Sequence, residues 1–142
     1  MSASMVFCAV ATALSIGLSY GVVRAQDKTV WDGVYSDAQA KRGAALFADK
    51  CSMCHGADLS GGDAPSLAGA EFSGNWDDLS LGDLFERIRV GMPQDNPQSL
   101  TRDQVSDLMA LILRANKIPA GQADLPAQAD ALKGIKYKAN KP

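Results

Sequence analysis

Cys51-Ser52-Met53-Cys54-His55 is the stretch on which the reading of this chain turns. Two thiols separated by two residues, with an imidazole directly after the second, form the C-x-x-C-H spacing that reads as covalent attachment of a c-type haem. The reason is reach. A haem carries two vinyl groups on neighbouring pyrroles, and two thiols in one compact turn meet both while the next residue swings beneath the iron. Cys51 and Cys54 are then the thioether positions, and His55 is the proximal iron ligand. The competing explanations are a disulfide, a redox dithiol and a zinc site. Zinc takes four ligands, usually paired Cys or His, and no second pair follows. A thioredoxin-like dithiol belongs in a βαβ context, whereas the alternation typical of strands is absent along the chain.

His55 is the one histidine in 142 residues, so bis-histidine ligation and a second haem of the same kind are excluded. A methionine, a lysine, an amine terminus or an open position remains for the sixth site. Met53 lies between the anchoring cysteines, on the proximal side. Met109 falls in the apolar stripe of a helix, where methionine usually fills core space. Met92, in Gly91-Met92-Pro93-Gln94 and 37 positions beyond His55, stands at a helix end far enough along for a loop to wrap the haem edge. The plain alternative for Met92 is a buried loop anchor.

Composition narrows the class further. The chain is 46% hydrophobic and 21% charged, with 14 Lys+Arg against 16 Asp+Glu, as in an ordinary single globular domain. A net charge of −2 supplies no large positive field for a phosphate backbone, which argues against nucleic acid as a partner. Residues 3–23 carry no charge and end on Val23-Arg24-Ala25, so residues 1–25 read as a cleaved secretory signal. An uncleaved anchor is the alternative, because Met1-Ser2-Ala3-Ser4 lacks Lys and Arg. Membrane contact is expected only in that case, and Cys8 leaves with a cleaved signal. Residues 26–142 suffice for one core of the commonest domain size.

Ser36-Asp37-Ala38-Gln39 reads as a capping box opening a helix to about Lys50, which delivers the chain to Cys51. Gly, Asp, Ser, Ala and Pro dominate residues 56–74, predicting an irregular loop. Ser80-Leu81-Gly82-Asp83 opens a second helix, with Leu81, Leu84, Phe85 and Ile88 on one face, ending before Met92-Pro93. Thr101-Arg102-Asp103-Gln104 opens a third, with Val105, Leu108, Met109 and Ile112 at helical spacing to about Asn116. A short helix is expected between Pro126 and Lys133.

These features, from Ser36 to Gly121, resemble a class I cytochrome c domain of the bacterial periplasmic single-haem kind. The resemblance implies an all-α fold of three to five helices wrapped around one covalent haem c. It also implies that the Pro65 carbonyl accepts a hydrogen bond from the proximal imidazole, that Leu67 lines the haem, and that Gly43 and Phe47 pack the first helix against the last. The expected organisation is a signal at 1–25, an extension at 26–35, the cytochrome domain at 36–121 and a basic extension at 122–142.

With Cys51, Cys54, His55 and Met92 all engaged there is no vacant position for a substrate, which points to an electron carrier rather than an enzyme. Methionine sulfur raises the potential relative to a second histidine. The expected function is a periplasmic shuttle moving one electron between a dehydrogenase donor and a respiratory acceptor such as an oxidase or another cytochrome. The alternative is a haem c subunit of a periplasmic dehydrogenase complex. A third reading is a ligand sensor or peroxidase with an open distal side. Between Gln26 and Leu132 there are nine Lys+Arg against all sixteen acids, while Lys133, Lys136, Lys138 and Lys141 follow without one. The basic tail is either a solvated end, a segment paired with its own body, or a contact for an acidic surface.

Overall fold

Three helices start where local capping chemistry places them. In the computed structural model, which describes residues 28–142, α1 spans Asp37–Lys50, α4 Leu81–Gly91 and α5 Arg102–Ala115. Single turns α2 (Ser52–His55) and α6 (Ala129–Leu132) and a short α3 (Ala70–Trp76) complete the helices. Ser80 with Asp83 and Thr101 with Gln104 each form the reciprocal box. At α1 the Ser36 hydroxyl accepts from the Gln39 N–H, but the Gln39 side chain does not return. It is only 1% exposed and pairs with the Leu125 backbone in both directions, at 3.0 and 2.7 Å. Tertiary pairing has taken the partner expected for the cap. The signal segment and Cys8 lie outside the described residues.

Helix α1 packs on α5 at Gly43, as the resemblance implied, and Phe47 one turn on is buried in the same core. A Cβ at Gly43 would sit 2.0 Å from the Asp107 carbonyl oxygen, so only glycine admits this approach of the two backbones. Helix α5 is buried on more than one stripe, with Ala110, Leu111 and Leu113 inside as well as Val105, Leu108, Met109 and Ile112. It is therefore the central element of the core.

Two expectations are corrected. Residues 70–76 are helical although they fall largely in the predicted loop, because Phe72 and Trp76, one turn apart, stack at 6.0 Å and Phe72 meets Tyr137 edge-on at 5.8 Å. Aromatic packing there outweighs the Gly and Ser content. Strand pairing, unforeseen in the sequence, also occurs: β1 (Lys28–Thr29) and β2 (Ile135–Lys136) run parallel, Lys28 opposite Ile135.

The segment after Gly121 is a built strap. Leu125, Leu132, Ile135 and Tyr137 are buried. The Trp31 indole donates to the Lys138 carbonyl at 2.9 Å, and the Tyr35 hydroxyl donates to the Ile118 carbonyl at 2.7 Å. Of the tail lysines, Lys138 pairs with Asp78, and Lys133 pairs with Asp130 at 2.6 Å. The basic tail thus spends charge on its own protein. Truncation after Ala131 removes three buried side chains worth about 1.5–3 kcal/mol each, against a usual total stability of about 5–15 kcal/mol. A markedly lower urea midpoint is expected, and an unchanged midpoint would return the tail to a solvated end.

Asp124 closes the strap onto α1. Its carboxyl is held below the usual range by the Ser36 hydroxyl and then by Arg42, whose guanidinium reaches it at 2.7 Å and Asp107 at 2.9 Å. A depressed carboxyl stabilises the fold above its unfolded pKa and loses that effect as the pH falls through its folded value. Asp124→Asn is therefore expected to be less stable than the parent at pH 7, with the gap in denaturant midpoint narrowing below about pH 4.

Candidate functional site: the Cys51–His55 turn and its loop

Helix α1 ends by handing its last bond to the cysteine: the Cys51 N–H donates to the Phe47 carbonyl at 2.9 Å. The Cys54 and His55 N–H groups donate back to the Cys51 carbonyl at 3.2 and 3.0 Å, so residues 51–55 form one tight turn. Both thiols are free and unbridged, Cys51 half-buried and Cys54 exposed. Burial pushes the Cys51 thiol up to about 11. Met53 is 91% exposed on the outside of the turn.

Gly56 reverses the chain with φ 75°, and a Cβ there would lie 2.6 Å from the Gly61 carbonyl oxygen. The loop beyond is sewn to the turn, Gly61 N–H to the His55 carbonyl at 2.8 Å and Ala64 N–H to the Cys54 carbonyl at 3.0 Å. This stitching brings the Pro65 carbonyl to 2.8 Å from His55 Nδ1. A carbonyl only accepts, so Nδ1 carries a proton and Nε2 is the nitrogen left to face a metal. The ring is 9% exposed. An imidazole with one nitrogen fixed by a backbone carbonyl is the usual condition of a metal-binding histidine.

Met92 caps α4, its N–H donating to the Ile88 carbonyl at 2.9 Å, and the following Met92–Pro93 bond is cis. Met92, Cys51 and Leu67 all lie partly buried along the margin of the same core, whereas Met109 is fully buried within α5. The two unbridged thiols, the oriented imidazole and this half-buried apolar margin fit a covalently held haem. Among the described residues no cluster of three or more His, Cys, Asp or Glu could hold a metal ion, which leaves the zinc alternative without ligands.

Sequence reasoning assigned no role to Asn116 beyond closing α5. Its amide donates to the Leu67 and Ile112 carbonyls, both at 2.9 Å, and accepts from the Gly69 N–H at 2.9 Å. Nothing local signals this, because Leu67 and Gly69 are nearly fifty residues away.

The family model described as cytochrome c oxidase, cbb3-type, subunit III, matches residues 38–112, which include the whole turn, its loop and most of α5. No curated protein matches the chain. Among solved structures it is similar to the sulfane dehydrogenase SoxCD from Paracoccus pantotrophus, with 20% identity and a TM-score of 0.51 over 86% of this chain and 68% of that one, a likeness of fold. By its matched residues and its helical architecture, the chain belongs to the cytochrome c oxidase, cbb3-type, subunit III family and is a class I c-type cytochrome with covalently bound haem c.

Proposed function

We propose that this protein is a single-haem electron carrier in which Cys51 and Cys54 form the thioethers, His55 is the proximal ligand and Met92 the distal one. The observation that carries the reading is the 2.8 Å contact between His55 Nδ1 and the Pro65 carbonyl, which fixes the ring and leaves Nε2 available. When bound, the haem iron supplies one reversible electron. The chain's own part is to anchor the group through two thiols, orient the imidazole, offer a soft sulfur that favours the reduced state, and keep the margin at Leu67 apolar. With His55 and Met92 both holding the iron, no place would be left for a substrate. The reduced protein is therefore expected not to bind carbon monoxide at neutral pH; ready binding would mean an open distal side, as in a sensor or peroxidase.

The proposed setting is the periplasm, with residues 1–25 removed as a signal and redox proteins as partners: a dehydrogenase donor and an oxidase or cytochrome acceptor. Among the described residues no helix is long and apolar enough to cross a membrane. The intact mass of the exported protein reports signal removal and haem addition together.

A second role is favoured by the comparisons, since the family description names an oxidase subunit and the similar structure is a dehydrogenase. In it the same domain is the haem c subunit of a larger complex, and a stable partner co-purifying from the native source would decide for it.

For the shuttle, charge sets the encounter. Asp58 and Asp63 are exposed in the loop sewn to the Cys51–His55 turn. A basic patch on the partner complements that face through a small transient interface. Electron-transfer rates with the partner are expected to fall as ionic strength passes about 0.1 M, where the Debye length is about 10 Å. A rate indifferent to salt would reject steering.

A further inference from the structure

We propose that Asn116 is a positioning residue: its side-chain amide holds the loop that carries Pro65 against His55 and thereby tunes the metal-binding imidazole. The inference rests on the reading of His55 as the proximal ligand.

Residues 56–69 contain little regular structure, and apart from the Gly69 carbonyl, which accepts from the Ser73 N–H at 3.0 Å, and the bonds to Asn116, their backbone hydrogen bonds run within the loop or back to the 51–55 turn. Among the described residues, the hydrogen bonds that tie this loop to α5 all pass through the Asn116 amide. Nδ2 donates to the Leu67 carbonyl at 2.9 Å, and Oδ1 accepts from the Gly69 N–H at 2.9 Å, so the amide brackets Ala68 much as a neighbouring strand would. The second Nδ2 proton goes to the Ile112 carbonyl at 2.9 Å, which keeps the amide on its own helix end. From the other side the Leu67 N–H is held by the Leu59 carbonyl at 2.8 Å. Leu67 is thus fixed at both backbone groups, and Pro65 lies two residues upstream with its φ restricted by its ring.

The bracket is itself supported from the strap. The Ser73 hydroxyl lies 3.4 Å from Asn116 Oδ1, which only accepts, so Ser73 donates its proton there. The Tyr137 hydroxyl, 2.9 Å from Ser73 Oγ, then donates in turn. Tyr137 is 1% exposed, and its backbone is locked to residues 78 and 79 by bonds of 2.9 and 2.8 Å. Tyr137, Ser73, Asn116 and the loop form one directional chain, in which each bond polarises the next. A carbonyl accepting from Nδ1–H raises the electron donation of the imidazole through Nε2 and favours the more oxidised metal. Loosening that acceptor is therefore expected to raise the reduction potential.

The test uses the holo-protein with three substitutions. Asn116→Asp keeps the acceptor for Gly69 and Ser73 but loses the donor to Leu67; Asn116→Leu loses both; Tyr137→Phe removes only the remote hydroxyl. Hydrogen exchange of the His55 Nδ1 proton, followed by NMR in the reduced state, is measured together with the midpoint potential and the urea midpoint. Exchange about tenfold faster, the factor for losing about 1.4 kcal/mol of hydrogen bonding, is expected in both Asn116 variants, with a higher potential. Tyr137→Phe is expected to move both in the same direction and by less. Where Asn116→Leu fails to fold, the Asp and Phe variants decide. Folded variants with parental exchange and potential, however destabilised, overturn the proposal and leave Asn116 a helix cap. Rapid exchange in the unsubstituted protein would instead mean that the Pro65 carbonyl does not hold the proximal ring, which removes the underlying reading.

Discussion

The double substitution Cys51→Ala, Cys54→Ala is expected to give protein without covalently attached haem and with little holo-protein of any kind. The two thiols sit in one turn, tied by two N–H groups to a single carbonyl, so they address the same group and no other cysteine of the described chain can stand in. Without them only axial coordination and burial along a half-exposed margin remain. Stability falls with occupancy, because a group bound only by the folded state stabilises it by mass action, about 4 kcal/mol at a thousandfold excess over Kd. Haem staining after denaturing electrophoresis measures the first effect and a urea titration the second. Each single substitution should leave one thioether and intermediate values. Normal staining of the double variant would place the attachment elsewhere.

What could be read from the sequence divides by range. The starts of α1, α4 and α5 were legible because a cap and its partner lie three residues apart, and Ser36, Ser80 and Thr101 each cap as expected. The Cys51–His55 motif, and with it the family, was legible for the same reason: its two thiols and its imidazole lie within five consecutive residues. The failures are all long-range. Gln39 has the right residue type for a box, yet Leu125, more than eighty residues away, competes for its side chain. Helix α3 is held by Phe72 meeting Tyr137 across the strap, a pairing that no local composition reveals. The pairing of β1 with β2 involves two residues on each side, too few for any alternation to show. The Pro65 contact stands between these cases, since only the resemblance suggested it and the loop stitching at Gly61 and Ala64 accounts for it.

Met92→Ala is expected to leave the haem attached and open its distal side. The substitution touches neither the Cys51–His55 turn nor the loop that fixes His55, and the backbone of residue 92 keeps its bond to the Ile88 carbonyl. What is lost is a thioether sulfur at the partly buried core margin, proposed above as the soft ligand that favours the reduced state. The midpoint potential should therefore fall, opposite in sign to the rise expected when the Pro65 carbonyl is loosened. The two axial sides are in this way separable by the direction of the change. The ferric spectrum should lose its sulfur-to-iron charge-transfer absorption, and the reduced variant should bind carbon monoxide where the parent does not. An unchanged ferric spectrum would exclude Met92. Met109 could not easily replace it, because that side chain is fully buried in the centre of α5 and would have to leave the core to reach a metal. Met53 is held between the two attachment cysteines on the exposed side of the turn. An unchanged spectrum would therefore point to a nitrogen ligand or to a distal side already open, and carbon monoxide binding by the parent protein distinguishes these two.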